Sequence, residues 1–153
     1  MTGSPPRVLV IHGPNLNLLG AREPQIYGTK TLAAIDAELR VLASDLGVEV
    51  ECHQSNHEGA LLDLIHGAVR RCAGIVINPG AFAHTSVAIH DGLRAVALPA
   101  VEVHLSNIHG REPLRQRMIT AAACIGVISG LGSASYLLAL RYLAATRSLA
   151  APD

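Results

Sequence analysis

Lysine is nearly missing from this chain: Lys30 stands alone beside eleven arginines. Tryptophan is absent and phenylalanine occurs once, so aromatic residues make up only 3% of the 153 positions. Each scarcity excludes something. Schiff-base chemistry needs an amine whose pKa has been lowered, usually by burial, and Lys30, in "YGTKTLA" at a helix entrance, is solvated. With so few aromatics, the core has to be assembled from Ala, Val, Leu and Ile. The 50% hydrophobic content supplies enough of them for an independent fold without disulfide or metal staples. A formal net charge of zero argues against a nucleic-acid or membrane surface that works by bulk electrostatics. Cys52, Cys72 and Cys124 are odd in number and form no CxxC pair, which favours a reducing, cytoplasmic setting over a disulfide framework. No apolar run reaches the roughly 18 residues of a transmembrane helix, and the opening "MTGSPPR" does not read as a signal peptide. The plain reading of the arginine excess is GC-rich codon usage. Its chemical consequence is a set of planar forks suited to carboxylates and phosphates.

What is present is a regular alternation. "RVLVIHG" (7–13) reads as a buried strand. "TLAAIDAELRVLASDLG" (31–47) places Leu32, Ile35, Leu39, Leu42 and Leu46 at helical spacing and stops at Gly47. "VEVECHQ" (48–54) alternates as a strand, 58–74 reads as a helix, and "IVINPG" (75–80) is a third strand. A shorter helix follows, capped by Thr85 or Ser86. "AVEVH" (100–104) and "IGVIS" (125–129) are the last strands, and "SASYLLALRYLA" (133–144) closes as a helix. Strands separated by helices imply an α/β, doubly wound parallel sheet. Five strands in so short a chain favour the flavodoxin-like order 2-1-3-4-5. The expectation is a single catalytic domain over 1–153, since typical domains run to about 100–200 residues, with 1–6 and 147–153 as untethered tails.

Such sheets bind ligands beyond the carboxyl ends of their strands, near the point where strand order reverses. Here that point lies between strands one and three, so functional residues should follow strands one, three and four. They do. The first loop, 12–28, is long for a strand-to-helix connection, which marks it as a lid or binding loop, and it carries Arg22 and Tyr27 in "AREPQIYG". Tyrosine, with a reference pKa near 10, is a poor base unless a close guanidinium favours the phenolate. The plainer alternative is a surface arginine and a loop-anchoring tyrosine.

Strand four brings Glu102 and His104, two apart and so on one face of the strand. A carboxylate beside an imidazole fixes its tautomer and equips it to deliver a proton. Any nearby acceptor satisfying a strand-end histidine is the alternative. Beyond it, Ser106 and the N–H groups of Leu105 and Ser106 suit an oxyanion, and Arg111 and Arg115 add cationic reach. The middle loop offers Asn78, Gly80, Ala81 and His84, with Asp91 farther along the helix; His90 points elsewhere and should be solvated. "QSNHEG", after strand two, is a weaker candidate because that strand lies outside the switch.

No HxxxH or HExxH spacing occurs among the eight histidines, which leaves metal chemistry poorly supported. No GxSxG elbow is present. "SGLGS" (129–133) is better explained as a tight turn into the last helix than as a phosphate cradle. A nucleotide-binding module without catalysis is disfavoured because "HGPNLNLLG" carries a proline and bulky leucines where a phosphate loop needs glycines. Acid–base work without a cofactor remains: removing a proton next to a carbonyl and expelling a leaving group.

"LVIHGPNLNLLGAREPQIYG", "INPGAFAHTSVAIHDGL" and "VEVHLSNIHGREPLR" resemble the signature segments of the type II 3-dehydroquinate dehydratases, and "GLGSASYLLALRYL" is similar to that family's closing helix. The likeness spans about residues 8 to 144. It implies a flavodoxin-like fold and reversible anti elimination of water from 3-dehydroquinate to 3-dehydroshikimate, the third step of the shikimate route, with no cofactor and no metal. It implies that Tyr27 takes the proton from carbon 2 to give an enolate, assisted by Arg22. Asn78 steadies the enolate oxygen through a water with Asn15 beside it, and His104, oriented by Glu102, protonates the departing hydroxyl. It assigns substrate hydroxyls and carboxylate to Asn78, Gly80, Ala81, His84, Asp91, Leu105, Ser106 and Arg115, with Arg111 in the docking surface of the lid. Such enzymes usually assemble as trimers grouped into a dodecamer; neither nucleic acid nor membrane is an implied partner. Gly110, the segment "RQRMIT" (115–120) and Ser135 depart from the family pattern. They bear on the helix after the site and on subunit packing.

Overall fold

The computed structural model describes residues 3–147. Five strands, β1 (Arg7–His12), β2 (Glu49–Gln54), β3 (Gly74–Asn78), β4 (Ala100–His104) and β5 (Gly126–Ser129), pair in parallel in the order β2-β1-β3-β4-β5. That is the expected order. A one-turn helix α1 (Pro24–Tyr27) sits inside the first loop, followed by α2 (Leu32–Leu46), α3 (Glu58–Gly67), α4 (Val87–Val96) and α5 (Ala134–Arg147).

Side-chain alternation along the strands divides the core into two layers. Val8 and Val10 of β1, Val76 of β3 and Val101 and Val103 of β4 face α2 and α5. Leu9, Ile11, Ile75, Ile77 and Ala100 face α3 and α4. Because both faces are covered, β1, β3 and β4 are almost wholly apolar, as parallel strands require. Each fully buried Leu or Ile contributes on the order of 1.5–3 kcal/mol of burial free energy. α5 presents Tyr136, Ala139, Leu140 and Leu143 to the sheet, a helical i, i+3, i+4, i+7 set.

The helix ends follow their sequence signals. Thr31 accepts from the Ala34 N–H at 3.2 Å, and Gly47 closes α2 in the left-handed region at φ 68°. Of the two candidates for capping α4, Ser86 does so, accepting from the Ile89 N–H at 2.9 Å. The helix expected over 58–74 stops at Gly67. Arg70 adopts a left-handed φ of 63°, which turns the chain into β3. Short 3-10 turns at 16–18, 80–84, 108–110, 113–116 and 120–123 add structure to loops that have no helical periodicity.

Gly130 and Gly132 are both left-handed, and their N–H groups donate to the carbonyls of His104 and Leu105 at 3.2 and 3.0 Å. "SGLGS" is therefore the tight turn it was read as. Buried Ser135 accepts from the Leu131 N–H at 3.3 Å, giving this departure from the family pattern a local use. Pro6 accepts from Glu49 N–H at 2.8 Å; of the expected tails, residues 1–2 and 148–153 lie outside the described residues. Among the described residues no helix is long and apolar enough to cross a membrane.

Candidate active site

The carboxyl ends of β1, β3 and β4 open into a cleft of about 210 Å³. That is small for a cofactor and fits a compact metabolite. β1 and β3 can approach here because residue 13 has no side chain. A Cβ on Gly13 would lie 2.5 Å from the backbone C and O of Pro79. The Gly13 N–H instead donates to the Asn78 carbonyl at 2.8 Å.

Three loops line the cleft, as the topology predicted. From the first come Pro14, Asn15, Leu16, Arg22 and Tyr27. From the second come Asn78, Gly80, Ala81 and His84, and from the third His104, Leu105, Ser106, Ile108, Arg111 and Arg115. Glu102 is not in the wall because it is wholly buried behind His104, accepting from His104 Nε2 at 2.9 Å. A carboxylate only accepts, so Nε2 carries the proton and Nδ1 is the free position of the ring. The Thr120 hydroxyl also donates to Glu102, lying 3.0 and 3.1 Å from its two oxygens. His84 donates through Nδ1 to the Arg117 carbonyl at 2.8 Å and stacks on His104 with ring centroids 6.4 Å apart.

The lid tyrosine is held differently from expectation. Arg22 does not reach its hydroxyl; its guanidinium lies over the ring face, 4.8 Å from the centroid. Arg111 donates to the Tyr27 hydroxyl, at 2.9 Å. It thus docks the lid and places a positive charge on the phenolic oxygen in one contact. Arg115 pairs with Glu112 at 3.0 Å while facing the cleft.

Asp91 does not line the cleft. Ile89 and Leu93 turn their side of α4 toward the sheet, so Asp91, two residues past Ile89, projects outward and pairs with the His90 ring at 2.9 Å. His90 is itself partly buried, not solvated. Nor do the histidines gather: His109 is exposed and bound to Gln116 at 3.1 Å, and His12 faces away into the core.

Two contributors come from "QSNHEG", the segment after β2 that the sequence offered as a weaker candidate. Asn56, beyond β2, accepts from the Asn15 N–H at 3.0 Å, and Gln54 donates to the Gly13 carbonyl at 3.2 Å. They brace a loop in which Asn15 is left-handed at φ 69°. The pairing of His12 with Gln54 puts that bracing segment level with the cleft. A second group lies behind Asn78. His12 bonds Asp36 through Nε2 at 2.8 Å and the Tyr136 hydroxyl through Nδ1 at 2.9 Å. Cys52 joins at Asp36, and burial pushes its thiol up to about 12. His12, Asp36 and Cys52 place donor atoms within 4.8 Å of one another. Both His12 nitrogens are already engaged and the thiol keeps its proton, so the trio is a hydrogen-bonded set.

A family model described as Dehydroquinase class II matches residues 6–144. The chain is 62% identical over 139 residues to the 3-dehydroquinate dehydratase of Chelativorans sp. (strain BNC1), covering 90% of this chain and 96% of that protein. The crystal structure of the type II dehydroquinase from Butyrivibrio crossotus superposes with a TM-score of 0.90 at 44% identity, covering 92% of this chain and 99% of that one. The type II dehydroquinase from Propionibacterium acnes gives 0.89 at 42% identity, covering 94% and 99%.

Proposed function

Since the chain belongs to the class II dehydroquinase family, we propose that it is a 3-dehydroquinate dehydratase. It removes water from 3-dehydroquinate to give 3-dehydroshikimate, without metal or cofactor, in the shikimate route to aromatic amino acids. The observation that carries this reading is the shared cleft of a phenol gripped by Arg111 and an imidazole gripped by Glu102.

The chemistry follows from those two groups. Tyr27, as phenolate, takes the proton from carbon 2, and the electron pair moves onto the neighbouring ketone as an enolate. Arg111 on the hydroxyl and Arg22 over the ring both offset the negative charge. Asn78, with Asn15 beside it, steadies the enolate oxygen through a water. Collapse of the enolate expels the hydroxyl from carbon 1, which takes a proton from His104 and leaves as water. Glu102 keeps Nε2–H in place, so His104 offers its Nδ1 proton to the cleft.

Gly80, Ala81, His84, Leu105, Ser106 and Arg115 hold the substrate's hydroxyls and carboxylate. Asp91 lies outside this chain's own cleft, and its assigned contact has no support here. A cytoplasmic setting and assembly of trimers into a dodecamer belong to the same reading. The exposed apolar residues Ile125, Val127 and Leu131 beside the β5 edge favour self-association.

The test is product formation by purified protein, followed as the rise in ultraviolet absorbance of the conjugated enone, with and without a chelator. Activity indifferent to chelation, and lowered about 10²–10⁴-fold in Tyr27→Phe, the range for a general base, is the expected result. Absence of turnover, or full turnover in that variant, refutes the assignment.

A further inference from the structure

We propose that Thr120 is a positioning residue for the proton donor: its hydroxyl, lying across both oxygens of Glu102, fixes the plane of that carboxylate and through it the ring of His104. What the ring then does rests on the dehydratase reading above; the arrangement itself does not.

Glu102 is placed where a carboxylate needs every partner it can find. On β4 it lies between Ile77 of β3 and Val127 of β5 and is wholly buried. Val101 and Val103 turn toward α2 and α5, so Glu102 and His104 leave the strand on the other face. A buried carboxylate is costly unless it is hydrogen-bonded, and its two oxygens offer about four acceptor positions. His104 Nε2 occupies Oε1 alone, at 2.9 Å. Among the described residues, Oε2 has a single donor, the Thr120 hydroxyl at 3.1 Å, which also lies 3.0 Å from Oε1.

That second contact decides the geometry. The terminal torsion of a glutamate is broad, so a carboxylate held at one oxygen can turn about that contact and carry the imidazole with it. A donor astride both oxygens removes the freedom. Threonine suits the task because its β-branched side chain is stiff at χ1, and Thr120 is itself wholly buried. Its backbone is held as well. The Ile119 N–H donates to the Ala83 carbonyl at 2.7 Å, and the Arg117 carbonyl accepts from His84 Nδ1 at 2.8 Å. The segment "RQRMIT", which departs from the family pattern, is thereby tied to the wall that carries His84 and sets its last side chain against Glu102. Thr120 does not line the cleft. It acts on the cleft through Glu102 and His104.

The first measurement needs no substrate. With ¹⁵N-labelled histidine, and His104 assigned by comparison with His104→Gln, the parent should show a proton on Nε2 protected from exchange with water. In Thr120→Val that proton should exchange faster, and in Thr120→Ser, which keeps the hydroxyl, it should behave as in the parent. Equal exchange in the parent and Thr120→Val, or a parent ring without a proton on Nε2, overturns the proposal whatever the enzyme turns over. The second measurement is kinetic. Thr120→Val should lower kcat about tenfold, the scale of one hydrogen bond, with KM for 3-dehydroquinate changed less than about twofold. Thr120→Ser should stay within about threefold of the parent kcat on the same scale. A Thr120→Val protein that melts lower but keeps its kcat would have lost only the satisfaction of a buried acid, and equal losses in the two variants would trace to the methyl; either result refutes the positioning role. Should Thr120→Val fail to fold, Thr120→Ala, which removes the same hydroxyl without placing a methyl against the carboxylate, is measured in its place. An inactive parent enzyme would sink the dehydratase reading and leave the exchange result standing.

Discussion

Replacing Glu102 by glutamine removes one charge and almost no volume. Glu102 is wholly buried and accepts from His104 Nε2 at 2.9 Å and from Thr120 at 3.0 and 3.1 Å. The glutamine carbonyl can keep the histidine and its amide nitrogen can donate to the threonine oxygen, so the fold should survive. What goes is the counter-charge of the imidazolium. Two unit charges about 4 Å apart attract by roughly 4 kcal/mol at an effective dielectric near 20. Most of that offsets desolvation, leaving a net of about 1.5–3 kcal/mol for a charged hydrogen bond against about 0.5–1.5 for a neutral one. The loss on substitution is therefore on the order of 1–2 kcal/mol, or roughly 5- to 30-fold in kcat/KM. Initial rates of enone formation measure it, with a thermal melt to confirm folding. A variant that melts like the parent and keeps kcat/KM within twofold would show that Glu102 does nothing for His104 beyond filling space.

Arg111→Ala removes the donor that holds the Tyr27 hydroxyl and should lower kcat/KM by roughly 10- to 150-fold, the worth of a charged hydrogen bond; equal rates in the two proteins would mean that the contact is idle. Gly13→Ala forces a methyl to 2.5 Å from the Pro79 backbone. Overpacking costs of about 1–3 kcal/mol correspond to a melting temperature lower by roughly 2–10 °C in a chain of this size, so an unchanged melt counts against the tight β1–β3 approach. Asp36 supplies a pH test. Its folded pKa is depressed from 3.8, so the stability it contributes is present above the unfolded value and is lost as pH falls through the folded one. The melting-temperature gap between the parent and Asp36→Asn should therefore shrink on acidification below about pH 4; a gap that stays constant from pH 6 to 3 contradicts an ionised Asp36 paired with His12.

The alternation of apolar runs with helical spacing was enough to read a parallel α/β sheet, and the strand order favoured for five such strands placed the site on the loops after β1, β3 and β4. Spacing alone also determined the Glu102–His104 pair, since residues two apart on a strand share a face whatever the rest of the chain does. The end of α3 was missed because the left-handed turn at Arg70 has no compositional mark.

Only the tertiary structure decided that Arg111, 84 residues away, holds Tyr27 where its neighbour Arg22 merely covers the ring. The same holds for Asp91 facing outward, for Asn56 bracing Asn15, and for the buried chain from Asp36 through His12 to Tyr136. The reason is range. Periodicity fixes the direction in which a side chain leaves its own helix or strand. The partner it meets there is set by how elements distant along the chain pack and register against one another.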